Sequence, residues 1–202
     1  NTPTPVLIFG GGYDNNKGTS HEHHAGANTV GTNDSQGNAI FIVHAETGAL
    51  IWKAVKGTTA GYTSSTKAYT HPGLVDSIPS DIAVVDSNGN GLVDRLYVGD
   101  TGGVLWRVDT KCSHPSGVNV VSGSASPGCG ATTADAQPWK IIPILSVGRH
   151  YSSTLANDRR FFYAPDYVQT VDASGTSYDA VIVGTGDREN PKSTSATDWF
   201  YM

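Results

Sequence analysis

Long apolar runs are missing from this sequence: no stretch approaches the roughly 20 residues a helix needs to cross a bilayer. Charge is scarce as well. Only 15% of the 202 residues are Asp, Glu, Lys or Arg, low for a helical protein, whose surfaces carry Glu/Lys pairs. The formal net charge is −5, so no general attraction to nucleic acid or anionic lipid is expected. Catalytic signatures are lacking too. There is no Gly-x-Ser-x-Gly elbow, and Gly10-Gly-Gly12 is followed neither by Lys-Ser/Thr nor by a helix, so an enzyme is not expected. No signal peptide opens the chain; a secreted protein would have lost it, so this does not place the protein in the cytosol.

Cysteine is limited to Cys112 and Cys129, in a Gly/Ser/Pro-rich stretch without a Cys-x-x-Cys or His partner. That usage suits an oxidising compartment. A disulfide between them would stabilise by roughly 3 kcal/mol in the chain-entropy model; the alternative is two unrelated free thiols.

What is present points to sheet. The chain holds 24 Gly, 10 Pro and 9 Tyr, and its apolar runs are short and end at Gly, Asn, Asp or Pro. Val6–Phe9, Ala39–Val43, Leu50–Trp52, Ile82–Val85, Arg95–Val98, Val104–Val108, Ile141–Leu145 and Ala180–Val183 read as strands. No credible amphipathic helix competes with them. Trp52, Trp106, Trp139 and Trp199 fall at strand positions, where packing between sheets accounts for them. Long loops of small residues are expected at 15–38, 58–77 and 113–137, of a length that is functional or embellishes a repeat.

A repeat is visible. Val6-Leu-Ile-Phe-Gly10, Leu96-Tyr-Val-Gly99 and Val181-Ile-Val-Gly184 each end an apolar strand on Gly, at spacings of 89 and 85 residues. Each spacing is about twice the ~40–45 residue period of a four-stranded propeller blade. Upstream, Val85-Asp86 … Asp94 parallels Val171-Asp172 … Asp179. The expected fold is therefore all-β: one segment spanning 1–202, part of a β-propeller of about four to five blades with long loop insertions. An open propeller leaves unpaired edges, so the sheet is expected to need the rest of a longer chain, or another copy, for closure. A β-sandwich is the competing architecture.

The strongest motif is Asp86-x-Asn88-x-Asn90-Gly91-x-x-Asp94. Ca²⁺ takes six to eight oxygens. Side-chain oxygens at alternate positions 86, 88 and 90 can curl round it, Gly91 permits the sharp bend, Leu92 offers its carbonyl and Asp94 closes the cage. Tyr97 stands where an EF-hand carries its bidentate Glu, so this is another kind of loop. Two carboxylates against two amides imply weak, extracellular-type affinity, on the order of 10⁻⁵–10⁻³ M. The plain alternative is an Asn-Gly turn. The parallel stretch Asp172–Asp179 is one residue shorter and lacks the glycine; it reads as the same hairpin without a cage. His21-Glu-His-His24 has the wrong spacing for a zinc-protease helix and reads as a solvated loop.

Several stretches resemble the C-terminal domain of type IV pilus tip-associated adhesins of the PilC/PilY family. They are Phe9-Gly-Gly-Gly-Tyr-Asp14, Gly37–Val43 with Thr47-Gly48, above all the run Ile78–Gly103, and Gly184-Thr-Gly-Asp-Arg-Glu-Asn-Pro191 with Phe200-Tyr201. The inserts at 15–36 and 113–137 carry none of it. The resemblance implies a modified, quinoprotein-like β-propeller and a nine-residue calcium loop with Asp86, Asn88, Asn90, Leu92 and Asp94 as ligands. It also implies an extracellular place at the pilus tip, with pilus minor subunits and a host or abiotic surface ligand as partners. Supporting pilus assembly and a calcium-linked control of retraction and attachment would be the function. Two other readings compete. Ala45-Glu-Thr-Gly-Ala-Leu-Ile-Trp52 resembles the tryptophan repeat of quinone-cofactor dehydrogenases, although those often carry adjacent cysteines. Integrin-like and lectin-like propellers share the loop pattern with a purely structural metal.

Overall fold

The computed structural model describes residues 4–14, 32–87, 89–110, 139–152, 154–188, 191–192 and 194–202. Twelve strands and two short 3-10 turns, Ser64–Thr66 and Leu155–Asn157, make up its regular structure. The strands form three sheets.

The first sheet contains β1 (Val6–Gly10), β2 (Ala39–His44), β3 (Leu50–Lys56), β4 (Gly61–Thr63) and β5 (Ala68–His71), in the order β1-β2-β3-β5-β4. Its first three strands run antiparallel, whereas β5 lies parallel to β3. The second sheet is an antiparallel meander of β6 (Ala83–Val85), β7 (Arg95–Gly99), β8 (Val104–Asp109) and β9 (Lys140–Ser146). The third, β10 (Asp166–Val171), β11 (Ser177–Gly184) and β12 (Phe200–Tyr201), repeats the first three steps of that meander.

The second sheet is the middle layer, and its sequence says why. Period-two alternation puts Val104, Trp106 and Val108 on one face of β8, and they join Leu96, Val98 and Ile141 against Ile40, Ile42, Trp52 and Ala54 of the first sheet. Leu105 points the other way, into a smaller cluster with Val147, Phe161 and Val183. Covered on two faces, β8 reads as a continuous apolar run, as doubly buried strands do. Each fully buried Ile, Val or Leu contributes about 1.5–3 kcal/mol relative to exposure. Pro143 is tolerated because β9 is an edge strand and the register slips at Leu105/Trp106 opposite it.

Gly10, Gly99 and Gly184 each end a strand, at β1, β7 and β11. At Gly99 the reason is contact: a Cβ there would lie 2.2 Å from the Cβ of Phe161. Among the described residues each repeat holds one sheet rather than two blades. The expected four to five blades are thus replaced, among the described residues, by three sheets, and these do not close a ring.

Three further expectations change. The stretch 58–77 is not a loop throughout, since β4 and β5 lie within it and extend the first sheet. The strand β10 had no counterpart in the sequence reading. Trp52 and Trp106 are fully buried and Trp139 packs edge-on against Trp52 at 6.4 Å, but Trp199 is 57% exposed, under the guanidinium of Arg159. The insert 113–137, the pair Cys112 and Cys129, the loop His21–His24 and most of 15–38 lie outside the described residues.

Candidate metal centre

The loop between β6 and β7 is organised round two carboxylates. Asp86 follows β6 directly. Its Oδ1 accepts the backbone N–H of Gly89 at 2.8 Å and of Asn90 at 3.2 Å, and its Oδ2 accepts that of Gly91 at 2.7 Å. Three successive amides thus wrap the chain round one side chain, and Gly91 makes the bend at φ +80°, with open space where a Cβ would stand. Asn90 Oδ1 accepts the N–H of Leu92 at 2.9 Å.

Asp94 returns the chain to where it began. Its Oδ2 accepts both the N–H of Ser87 at 2.7 Å and the Ser87 hydroxyl at 2.5 Å. The backbone locks the same junction: the Asp94 N–H donates to Val85 O at 2.7 Å, and Thr110 N–H donates to Asp94 O at 3.0 Å. Asp94 is only 2% exposed. A buried carboxylate demands hydrogen-bond donors or a cation.

Of the five expected ligands, Asp86, Asn90, Leu92 and Asp94 are therefore drawn into one tight bend, and Asn88 lies outside the described residues. The donor set is oxygen throughout, which suits a hard cation such as Ca²⁺ and not zinc. Among the described residues no three His, Cys, Asp or Glu side chains form a metal cluster. Any cation here would therefore depend on amide and carbonyl oxygens besides the two carboxylates.

The parallel connection between β10 and β11 is built differently. Asp172 Oδ1 accepts Ser174 N–H at 2.8 Å, Ser174 Oγ at 2.6 Å and Thr176 N–H at 2.9 Å, closing a short turn. These bonds, the Ser174 hydroxyl first, hold the Asp172 carboxyl below the usual range. Asp179, the counterpart of Asp94, lies inside β11 and faces the second sheet. It pairs with Arg95 and accepts the hydroxyl of Tyr97 at 2.8 Å and that of Tyr167 at 3.3 Å. Burial first, then this bond to Asp179, push the Tyr97 phenol up to about 12.

A second polar cluster, which the sequence reading missed, ties together the loops beside the ends of β1 and β7. Asp34 accepts Ser77 N–H at 2.6 Å and the Thr101 hydroxyl at 2.8 Å. The fully buried Asp76 is gripped by Arg149 and by His150 Nε2, the latter at 2.6 Å. Asp100, also fully buried, accepts the N–H of Gly102 and of Val104 at 2.9 Å each and the Trp106 indole N–H at 2.7 Å. These bonds span up to 74 residues of sequence, so the only local signal was Asp100-Thr-Gly-Gly103 following a strand-ending glycine.

No family model and no curated protein matches the chain. Among solved structures, the C-terminal domain of PilY1 from Pseudomonas aeruginosa aligns over 83% of this chain with a TM-score of 0.51 at 23% identity. The alignment takes in 32% of that domain, so the chain spans about a third of its neighbour's length. The likeness is one of fold.

Proposed function

We propose that this chain is the calcium-binding part of a cell-surface protein of the type IV pilus, acting at the pilus tip in assembly, in control of retraction and in attachment. The observation that carries the reading is the nine-residue bend in which Asp86 gathers three backbone amides and Asp94 is folded back onto Ser87. The fold shared with the PilY1 domain supports the pilus part of the proposal.

On this reading Asp86, Asn88, Asn90, Leu92 and Asp94 hold the ion, with Leu92 acting through its carbonyl. When bound, calcium would bring positive charge to the bend that holds both carboxylates. The bend connects neighbouring strands of the middle sheet, so the form that binds is stabilised by RT ln(1 + [Ca²⁺]/Kd). Pilus minor subunits and a surface ligand are the partners that would sense the difference.

Calorimetric titration of the wild type and of Asp94→Ala with CaCl₂ tests the metal: heats are expected from the first alone. The same substitution in the full-length gene tests the biology. Reduced piliation or altered twitching supports the proposal, and unchanged surface motility in a strain whose protein no longer binds calcium removes it.

A further inference from the structure

The contacts of Asp179 lead away from its own hairpin. In the repeat it stands where Asp94 stands, yet it pairs with Arg95, the residue that follows Asp94 in the chain. The aromatic rings of Tyr97 and Tyr167 stack beside it, with centroids 6.1 Å apart and planes 19° apart, and both hydroxyls point at its carboxylate. β6 also packs beside β10, and Tyr167 lies within electrostatic reach of Asp94. One carboxylate of the third sheet therefore fixes two side chains of β7, Arg95 and Tyr97, immediately after the loop's closing residue.

We propose that Asp179 is a positioning residue for the calcium loop, holding the start of β7 so that Asp94 returns to Ser87 at the correct place, and that loop occupancy and the junction between the second and third sheets are coupled through it. The proposal rests on the calcium reading given above. It follows from reciprocity. If the Asp179 contacts favour the closed loop, then filling the loop must favour the Asp179 contacts to the same extent. The pairing is also asymmetric in a useful way. Asp179 belongs to neither the loop nor its sheet, so an effect of one on the other must cross between sheets.

The test is a calcium titration of the whole chain, with Asp179→Asn, Asp179→Glu and Tyr167→Phe beside the wild type, together with amide exchange with and without calcium. Asp179→Asn is expected to weaken calcium binding by at least about fivefold, Tyr167→Phe by less, and Asp179→Glu to recover most of the loss. Calcium is expected to slow exchange in 166–171 and 177–184, which hold no ligand. Tyr167→Phe keeps the stacked ring and serves if Asp179→Asn does not fold. Unchanged affinity in the folded variants, with protection confined to 86–94, overturns the coupling and leaves the calcium site standing. Absence of any calcium heat from the wild type overturns both.

Discussion

Trp106 donates its indole N–H to Asp100 across 2.7 Å, inside the layer where the first two sheets meet. The tryptophan is therefore both the largest apolar element of β8 and a polar partner of a buried acid. Trp106→Phe keeps most of the ring but leaves a carboxylate one donor short. A loss of about 2 kcal/mol is expected, read as a shift in the urea midpoint at unchanged slope.

The same pair gives a pH signature. Burial first, and the charge of Asp76 second, push Asp100 up to about 7 from an ordinary value of 3.8. Between those values the folded protein keeps a proton that the unfolded chain releases. The stability tied to this group is complete below about pH 4 and is lost as the pH rises through 7. The indole bond favours the charged carboxylate, so Trp106→Phe should cost more at pH 8 than at pH 5. An equal cost at both values would show that Asp100 does not titrate in this window.

Arg149 and Asp76 form a pair with side chains 9% and 0% exposed. Removing one partner of such a pair strands the other charge, and Arg149→Ala is expected to cost about 3 kcal/mol in thermal or urea unfolding. His150 still faces Asp76, so the double variant with His150→Ala should lose more than Arg149→Ala alone.

Two glycine substitutions separate strain from collision. Gly91 has φ +80° and open space, so Gly91→Ala should cost about 1 kcal/mol and weaken calcium binding besides. Gly99 has ordinary backbone but no room beside Phe161. Gly99→Ala should cost several times as much and leave the loop chemistry alone. Comparable losses from the two, measured by urea unfolding, would contradict this division.

Much of the sheet pattern was legible because its signals are local. Each of the eight apolar runs that read as strands falls on a strand, with Ile82 alone lying just before β6, and the three glycines each end a strand, at β1, β7 and β11. The stretch carrying Asp172 reads as the same hairpin as the Asp86 loop without a cage; a hairpin between β10 and β11 is found there, with a turn closed round Asp172 instead. What escaped depends on distance or on weak pattern. β4 and β5 are three and four residues long, rich in Thr and Tyr, and become strands only because β5 lies along β3. β10 is mostly exposed, so it lacks the apolar alternation that marks β2. The blade count came from dividing the glycine spacing by a blade period, whereas among the described residues each spacing holds one sheet. The cluster of Asp34, Asp76 and Asp100 could not be seen, since each acid finds its partners across a turn or another segment.

The loop itself was legible as a residue pattern, and the structure adds which atoms already meet. Crystals of the chain grown in millimolar calcium, measured for anomalous scattering, would show whether this bend holds the ion. A peak is expected within about 2.3–2.6 Å of oxygens from Asp86, Asn88, Asn90, Leu92 and Asp94. A well-ordered bend with no peak, its carboxylates still accepting from Ser87, Gly89, Asn90 and Gly91, would remove the metal site.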